Sequence, residues 1–464
     1  MTDVNQGGGR GASPTQLAPL PSALPVAEEE AHLPRGFRVA GVKAGIKASG
    51  APDLAIVLVD DGPSPVAATF TTNRLPAAPV QMNKEHLWLA DTGGGGTRGW
   101  VSALMSTSGC ANAATGEAGL AEQRSLMATL AEVSETRREH VLAMSTGLIG
   151  TRLPVDRVAE AIRTTVPDGL GADDASWTGV AEALRTTDSR PKMASVRLEL
   201  PDTDGTPVPV TVSGVAKGVG MIHPAMATML CFILTDATAD PAILRDLLRP
   251  IVARTWDQIS VDGDQSTNDT VLLVASGATG AASLVPGSPA AADFARALEA
   301  VARSLARQQA ADGEGATTLI TCVVSGAEDD ADARAVARSV VGSSLVKAAV
   351  HGADPNWGRI AGAVGNATLP PAAVLVAVGL SEEAAPARAG RPVAIDPTRL
   401  RIDLAGVPVF AGEPLTFEAA ALSASMRVPE VLIRIDLGAG SGTGEAFGCD
   451  LTEAYVVENS AYST

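Results

Sequence analysis

Thr228 stands in Pro224-Ala-Met-Ala-Thr-Met-Leu-Cys231, within the most apolar stretch of the chain, 226–234. One reading is a β-branched residue that packs well at the start of a strand. The chemical reading is a hydroxyl that attacks the carbonyl of Ala227 and cuts the chain, so that Thr228 becomes a new N-terminus. The α-amino group so exposed, with an ordinary pKa of about 7.7–8, can act as general base for the hydroxyl of the same residue. Such a nucleophile needs no separate histidine. The five histidines here are scattered and form no obvious Ser-His-Asp or Cys-His arrangement.

Other segments offer complementary groups. Ser145-Thr-Gly-Leu-Ile-Gly150 reads as a strand end and glycine turn, or as a flexed backbone that aims the Gly147 N–H and the Thr146 hydroxyl at a developing oxyanion. Asp262-Gly-Asp-Gln-Ser-Thr-Asn-Asp269 is either a polar turn or a hydrogen-bonded scaffold behind a site, and it lacks the terminal Glu of a calcium loop. Lys217, in Gly214-Val-Ala-Lys-Gly-Val-Gly220, is a solvated loop lysine or a counter-ion for a substrate carboxylate, because the segment fits no nucleotide-binding pattern. Glu314 in Asp312-Gly-Glu-Gly-Ala-Thr317 and Arg359 in Asp354-Pro-Asn-Trp-Gly-Arg359 sit in turn-like clusters, and together a Glu and an Arg can hold the ammonium and carboxylate of an amino acid.

The elements that must position these groups follow from apolar periodicity. Runs at 54–59, 142–145, 271–275 and 318–324 predict strands, and 196–200 with 208–212 predict a hairpin. Residues 66–71 read as the hairpin partner of 54–59, and 214–220 as a loose loop feeding the apolar strand. Helical spacing appears at 119–133, 155–164, 242–255, 291–309 and 331–339. The expected class is α/β of mixed α+β type, with mixed β-sheets flanked by helices rather than one doubly wound sheet. Residues 1–35, rich in Gly, Pro, Ser, Ala and Glu, read as a disordered tail, and the Gly-rich 93–96 as a surface loop. No composition shift marks a domain boundary beyond the tail.

Of 464 residues, 35 are Lys or Arg and 52 Asp or Glu, a net charge of −17. That field repels phosphate backbones and anionic lipid, so nucleic-acid and membrane partners are not expected. Cys110, Cys231, Cys322 and Cys449 are dispersed without metal-ligand spacing, so neither a disulfide framework nor a metal is expected. With no long apolar run and no leader-like start, the expected location is cytoplasmic.

The motifs resemble one family together. GVAKGVGMIHPAMATML at 214–230 closely resembles the self-processing segment of the ornithine acetyltransferase (ArgJ, glutamate N-acetyltransferase) family. STGLIG at 145–150, SVDGDQSTND at 260–269, DGEGAT at 312–317 and KAAVHGADPNWGRIAGAVG at 347–365 match in the family's order, as do the stretches 36–55 and 455–464. The resemblance covers 36–464 and implies the layered fold that the family shares with DmpA-type aminopeptidases. It implies cleavage between Ala227 and Thr228 into chains 36–227 (after the tail) and 228–464, which form one catalytic unit. It further implies Thr228 as nucleophile, Thr146 and Gly147 as oxyanion hole, and Thr186, Thr187, Lys217, Glu314, Asn459 and Thr464 as substrate contacts. The implied reaction moves acetyl from N2-acetyl-L-ornithine to L-glutamate by a ping-pong route through an acetyl-Thr228 ester in arginine biosynthesis. Acetyl-CoA is an open co-substrate, no other cofactor is implied, and the assembly is two copies of each chain. The alternatives are a paralogous acetyltransferase of a secondary-metabolite pathway and an N-terminal-nucleophile amidohydrolase. Departures from the family wording fall at Thr107, Cys110, Arg185, His223, Ala225 and Gln265.

Overall fold

In the computed structural model, residues 23–223, 229–377 and 379–460 are described. Ala227, Thr228 and Thr464, three residues chosen from the sequence, therefore lie outside the described residues.

Three sheets carry the fold. The first runs Phe37–Val42, Leu54–Val59, Ala103–Cys110, Val141–Leu148 in spatial order, with only the last pair parallel. The second runs Arg98–Val101, Ser64–Phe70, Thr270–Ala275, Leu230–Thr235, Pro207–Lys217, Lys192–Pro201. Its parallel pair, Thr270–Ala275 with Leu230–Thr235, sits at the centre. The third is ordered Ile259–Ser260, Gly442–Cys449, Leu319–Ala327, Glu430–Asp436, Arg401–Leu404, Val407–Ala411.

Strand alternation explains why the first two sheets stack. Side chains of successive strand residues point to opposite faces. In Leu230–Thr235, Leu230, Phe232 and Leu234 enter one core while Cys231 and Ile233 enter another. In Leu54–Val59, Ala55, Val57 and Val59 enter that same shared core, and Leu54, Ile56 and Leu58 a third. Both strands are thus buried on both faces, which is why they read as unbroken apolar runs. The shared core lies between the two sheets. Helices Gly116–Val133 and Val155–Thr165 cover the outer face of the first, and helices Pro241–Arg254 and Pro289–Ala311 the outer face of the second. The result is a helix, sheet, sheet, helix layering, with the third sheet and helices Asp330–Val341, Ser344–His351 and Trp357–Gly365 packed around a separate core. Helix starts follow local chemistry: Ser288 accepts the Ala291 N–H ahead of Pro289, and Asp329 accepts the N–H groups of Ala331 and Asp332. Phe232 is fully buried between the sheets. Phe232→Ala is expected to lower stability by about 3–5 kcal/mol, measured by urea denaturation.

The mixed α/β class stands, and four local expectations are corrected. Ser64–Phe70 does not pair with Leu54–Val59 but joins the second sheet between Thr270–Ala275 and Arg98–Val101. Leu54–Val59 already has Phe37–Val42 and Ala103–Cys110 as neighbours, so the turn after it carries the chain from one sheet to the other. Gly214–Lys217 is strand rather than loop; a Cβ at Gly214 would lie 2.8 Å from Leu305 Cδ1, so glycine admits the helix there. Residues 23–35 are not a free tail. Glu28 forms a two-way bridge with Ser195, Ala31 is buried, and His32 bonds Asp174 at 3.0 Å. The Gly-rich 93–96 stretch is a capped turn, with Asp91 accepting the Gly93 N–H and pairing with Arg98 at 2.9 Å. Among the described residues no helix is long and apolar enough to cross a membrane.

Candidate active site

A cavity of about 320 Å³ opens where the first two sheets meet the loop that carries Glu314. Thr146, Gly147, Thr186, Thr187, Lys217, Glu314 and Asn459 all line it, so the structure brings together every described residue to which the family resemblance gives a site role. They come from distant parts of the chain: the end of strand Val141–Leu148, the turn after helix Asp174–Leu184, the end of strand Pro207–Lys217, the loop after helix Pro289–Ala311, and helix Glu453–Ser460. Arg359 is not brought in. Its guanidinium donates to the Leu345 carbonyl at 2.9 Å, so the pairing of Glu314 with Arg359 is not made.

Gly147 has φ of +128°, and a Cβ there would lie 2.3 Å from the Gly109 carbonyl carbon, so only glycine fits this crossing of strands. Beside it, buried Lys217 donates from Nζ to Thr146 Oγ1 at 3.1 Å. An ammonium has no acceptor, so the Thr146 hydroxyl proton is left to point elsewhere, as a donor suited to an oxyanion. Burial pushes the Lys217 ammonium pKa down, with Asp188 opposing that shift.

Glu314 is clamped from both sides. Its Oε1 accepts from Thr187 Oγ1 at 2.9 Å and its Oε2 from Asn459 Nδ2 at 3.0 Å, while its backbone N–H donates to the Val219 carbonyl. Of the two adjacent threonines, Thr187 makes the side-chain bond to Glu314. A Cβ at Gly220 would sit 2.2 Å from Glu314 Oε2, so the last glycine of the 214–220 motif makes room for that carboxylate.

Sequence reasoning missed the group that holds these parts together. Lys192, fully buried, bonds Asp188 Oδ1 at 2.7 Å and Asp312 Oδ2 at 2.6 Å. Asp188 also accepts the N–H groups of Thr186 at 3.1 Å and Gly218 at 2.9 Å, and Asp312 that of Ser189 at 3.0 Å. One buried ion triad thereby ties the Thr186-Thr187 turn to Lys217 and to the loop of Glu314. Burial alone would raise the Asp188 pKa; Lys192 and Lys217 beside it prevail and hold its carboxyl well below the usual range. A signal was present, because Lys192 shares strand parity with Ala194 and Val196, on the buried face.

The polar segment 262–269 is a scaffold. Asn268 donates to the carbonyls of Ala111 at 2.7 Å and Ser145 at 2.8 Å, directly behind Thr146. Asp262 accepts the Ile222 N–H at 3.0 Å, and Asp269 that of Met229 at 3.0 Å. The chain on either side of 224–228 is therefore anchored to this one segment. The residues that depart from the family wording are mostly engaged in structure: Arg185 donates to the Asp188 and Ser189 carbonyls, Cys110 Sγ to the Thr151 carbonyl, and Gln265 to Thr72 Oγ1. His223 faces Ser260 Oγ at 3.2 Å, and burial pushes its pKa down to about 4. The Thr107 hydroxyl is buried without a hydrogen-bond partner among the described residues.

A cavity of amino-acid size, walled by a buried ammonium, hydroxyls and a clamped carboxylate, belongs to an enzyme that handles a small polar molecule. The model of the ArgJ family matches residues 38–464. The arginine biosynthesis bifunctional protein ArgJ of Deinococcus radiodurans is 42% identical over 431 residues, covering 93% of this chain and 97% of that protein. Its counterpart in Thermus thermophilus is 40% identical, covering 93% and 99%. The crystal structure of the Bacillus halodurans protein is 38% identical and covers 50% of this chain and 98% of that chain, with a TM-score of 0.43. The chain belongs to the ArgJ family.

Proposed function

We propose that this protein is an ornithine acetyltransferase of arginine biosynthesis, which moves acetyl from N2-acetyl-L-ornithine to L-glutamate through an ester on Thr228. The observation that carries the reading is the convergence of Lys217, Thr146, Gly147 and the Thr187–Glu314–Asn459 clamp on one cavity. The family membership and the names of its relatives, arginine biosynthesis bifunctional proteins, support it.

In this reading the Thr228 hydroxyl first attacks the Ala227 carbonyl, the peptide nitrogen leaves as an amine, and water hydrolyses the resulting ester. Ala227 ends the chain 36–227 with its preceding tail, and Thr228 begins the chain 228–464. In each catalytic cycle the new α-amino group takes the hydroxyl proton as Thr228 Oγ attacks the acetyl carbonyl. The Gly147 N–H and the Thr146 hydroxyl stabilise the tetrahedral oxyanion. The proton passes to the departing amine, ornithine leaves, and the glutamate amine attacks the acetyl-Thr228 ester to release N-acetylglutamate. Lys217 meets a substrate carboxylate, and Glu314, held by Thr187 and Asn459, meets an ammonium. Thr186 and the C-terminal Thr464 complete the substrate contacts. The cycle uses the chain's own groups, with acetyl-CoA as a second acetyl donor, and the processed chains assemble as two copies of each in the cytoplasm.

Intact mass spectrometry after incubation with N2-acetyl-L-ornithine tests the reading. Two chains meeting at Ala227/Thr228, the second carrying acetyl, are expected; a single uncut polypeptide with full activity refutes it. Recovery of acetyl on glutamate rather than as free acetate separates the transferase from an amidohydrolase. Gly147→Ala is expected to lower kcat by about 10²–10³-fold, since the strain of fitting a Cβ displaces an oxyanion donor. Steady-state kinetics of acetyl transfer checks it.

A further inference from the structure

A second cavity, of about 310 Å³, shares no lining residue with the first. Its walls come from helix Pro289–Ala311, helix Asp330–Val341, strands Gly442–Cys449 and Leu319–Ala327, the end of helix Pro241–Arg254, and Ala23 with Leu24. Three guanidinium groups reach it. Two are matched: Arg254 meets Glu299 with bonds of 2.8 and 2.6 Å, and Arg303 meets Glu445 through both ends of its fork. The third, Arg334, is only 7% exposed, yet among the described residues it has no hydrogen bond or ion pair. Gly444 passes so close that a Cβ would lie 2.8 Å from Arg334 Cγ, so the side chain is seated by tight packing.

One acid is also uncommitted. Asp330 is exposed, accepts the Thr443 N–H at 2.8 Å, and acts on Arg334 through space without forming a direct ion pair among the described residues. Asp330 and Arg334 are one helical turn apart on the same face, where Cβ atoms lie about 5–6 Å apart. They line the same cavity without closing on each other. The Arg334 nitrogens are open to this cavity rather than sealed from it, so their acceptors must come from what enters it.

We propose that this cavity is a second binding site, for the zwitterionic head of a free α-amino acid, with its carboxylate on Arg334 and its ammonium on Asp330. The charge count selects that ligand. With two arginines already neutralised, one positive and one negative group remain, so a net-neutral head bearing both charges is matched. A multivalent anion such as phosphate would instead meet the carboxylates of Glu299, Glu445 and Asp330. The planar fork of Arg334 suits a carboxylate. An N-acetylated amino acid, which has lost the ammonium, is not a ligand here, so the site distinguishes free from acylated amino acids. The proposal does not depend on the acetyl-transfer reading.

The test is calorimetric titration of the full-length protein with L-ornithine, L-arginine and L-glutamate in turn. Lys217→Met weakens the first cavity, and Arg334→Met and Asp330→Asn weaken the second. At least one probe is expected to show a binding event that persists in Lys217→Met. The same event should weaken about tenfold or more in Arg334→Met and in Asp330→Asn, and the N-acetyl form of that probe should not produce it. Asp330→Asn, at an exposed position, keeps the test valid if Arg334→Met fails to fold. Three results overturn the proposal: no event that survives Lys217→Met, an event unchanged in Asp330→Asn, or an equal event with the N-acetyl amino acid.

Discussion

Thr228→Ala is expected to yield one uncut chain of 464 residues whose acetyl-transfer rate falls by roughly 10⁴-fold or more. Two steps are lost with one oxygen atom: the attack on the Ala227 carbonyl that liberates the α-amino base, and the attack on the acetyl group. The fold should survive. Met229 is bonded to both Asp269 and Thr270, Ile222 to Asp262 and Val261, and Leu230–Thr235 keeps its register between Pro207–Lys217 and Thr270–Ala275. None of these contacts involves the Thr228 hydroxyl. A denaturing gel and intact mass report the uncut chain, and circular dichroism with a thermal melt reports the intact fold. Two chains in the variant would assign the cut to another residue. One chain with undiminished transfer would remove Thr228 from the mechanism.

This robustness comes from how the two proposed chains interlock. Strands Leu230–Thr235 and Thr270–Ala275 follow the proposed cut, yet they sit between Ser64–Phe70 and Pro207–Lys217, which precede it. Cutting the backbone between Ala227 and Thr228 removes no ladder hydrogen bond among the described strands. Separation of the products would require breaking the sheet on both sides of this central pair and exposing Phe232, Leu234, Leu272 and Val274.

Much of this was legible in residue order because burial on two faces leaves a local mark. Leu54–Val59 and the helices near 116–133 and 289–311 each carry their own pattern in a short window. Pairing carries no such mark. Residues 64–70 lie one turn from Leu54–Val59 but bond to Thr270–Ala275, a choice made by partners far along the chain. The site residues were legible where motifs name them and illegible where their role is to hold another group. Lys192 is apolar in position and ionic in function, and its two carboxylate partners come from a turn and a distant loop. Only the folded chain shows that the three meet. The chain's net charge of −17 is likewise a poor guide to the cavity. There the buried Lys217 supplies the local positive group, with Lys47 nearby, its ammonium lowered by burial to about 8, while Lys192 is matched by Asp188 and Asp312.

The triad carries an expected effect on stability as large as that of a core aromatic. Lys192→Met removes the only ammonium bonded to both Asp188 and Asp312 among the described residues, leaving two carboxylates facing each other's surroundings in a buried site. Breaking a buried pair in this way costs about 3–5 kcal/mol. The sign of the pH dependence follows from Asp188. In the native protein its carboxyl is held below the usual range, so its contribution is present above the unfolded value of about 3.9 and is lost as pH falls toward the lower folded value. Without Lys192, burial dominates and raises that pKa, so the variant recovers part of its deficit when Asp188 takes up a proton. The stability gap between native protein and variant should therefore be widest above the variant's raised pKa, begin to narrow as pH falls through it, and narrow further below about 3.9, where the native contribution is lost. Guanidinium denaturation across a pH series measures it, and a gap independent of pH would show that Lys192 acts by packing alone. Asp188→Asn combined with Lys192→Met should restore part of the loss, because one of the unmatched charges is then gone. Acetyl transfer should not return with it, since the asparagine amide offers one acceptor oxygen where the Asp188 carboxylate holds both the Thr186 and the Gly218 N–H groups in place.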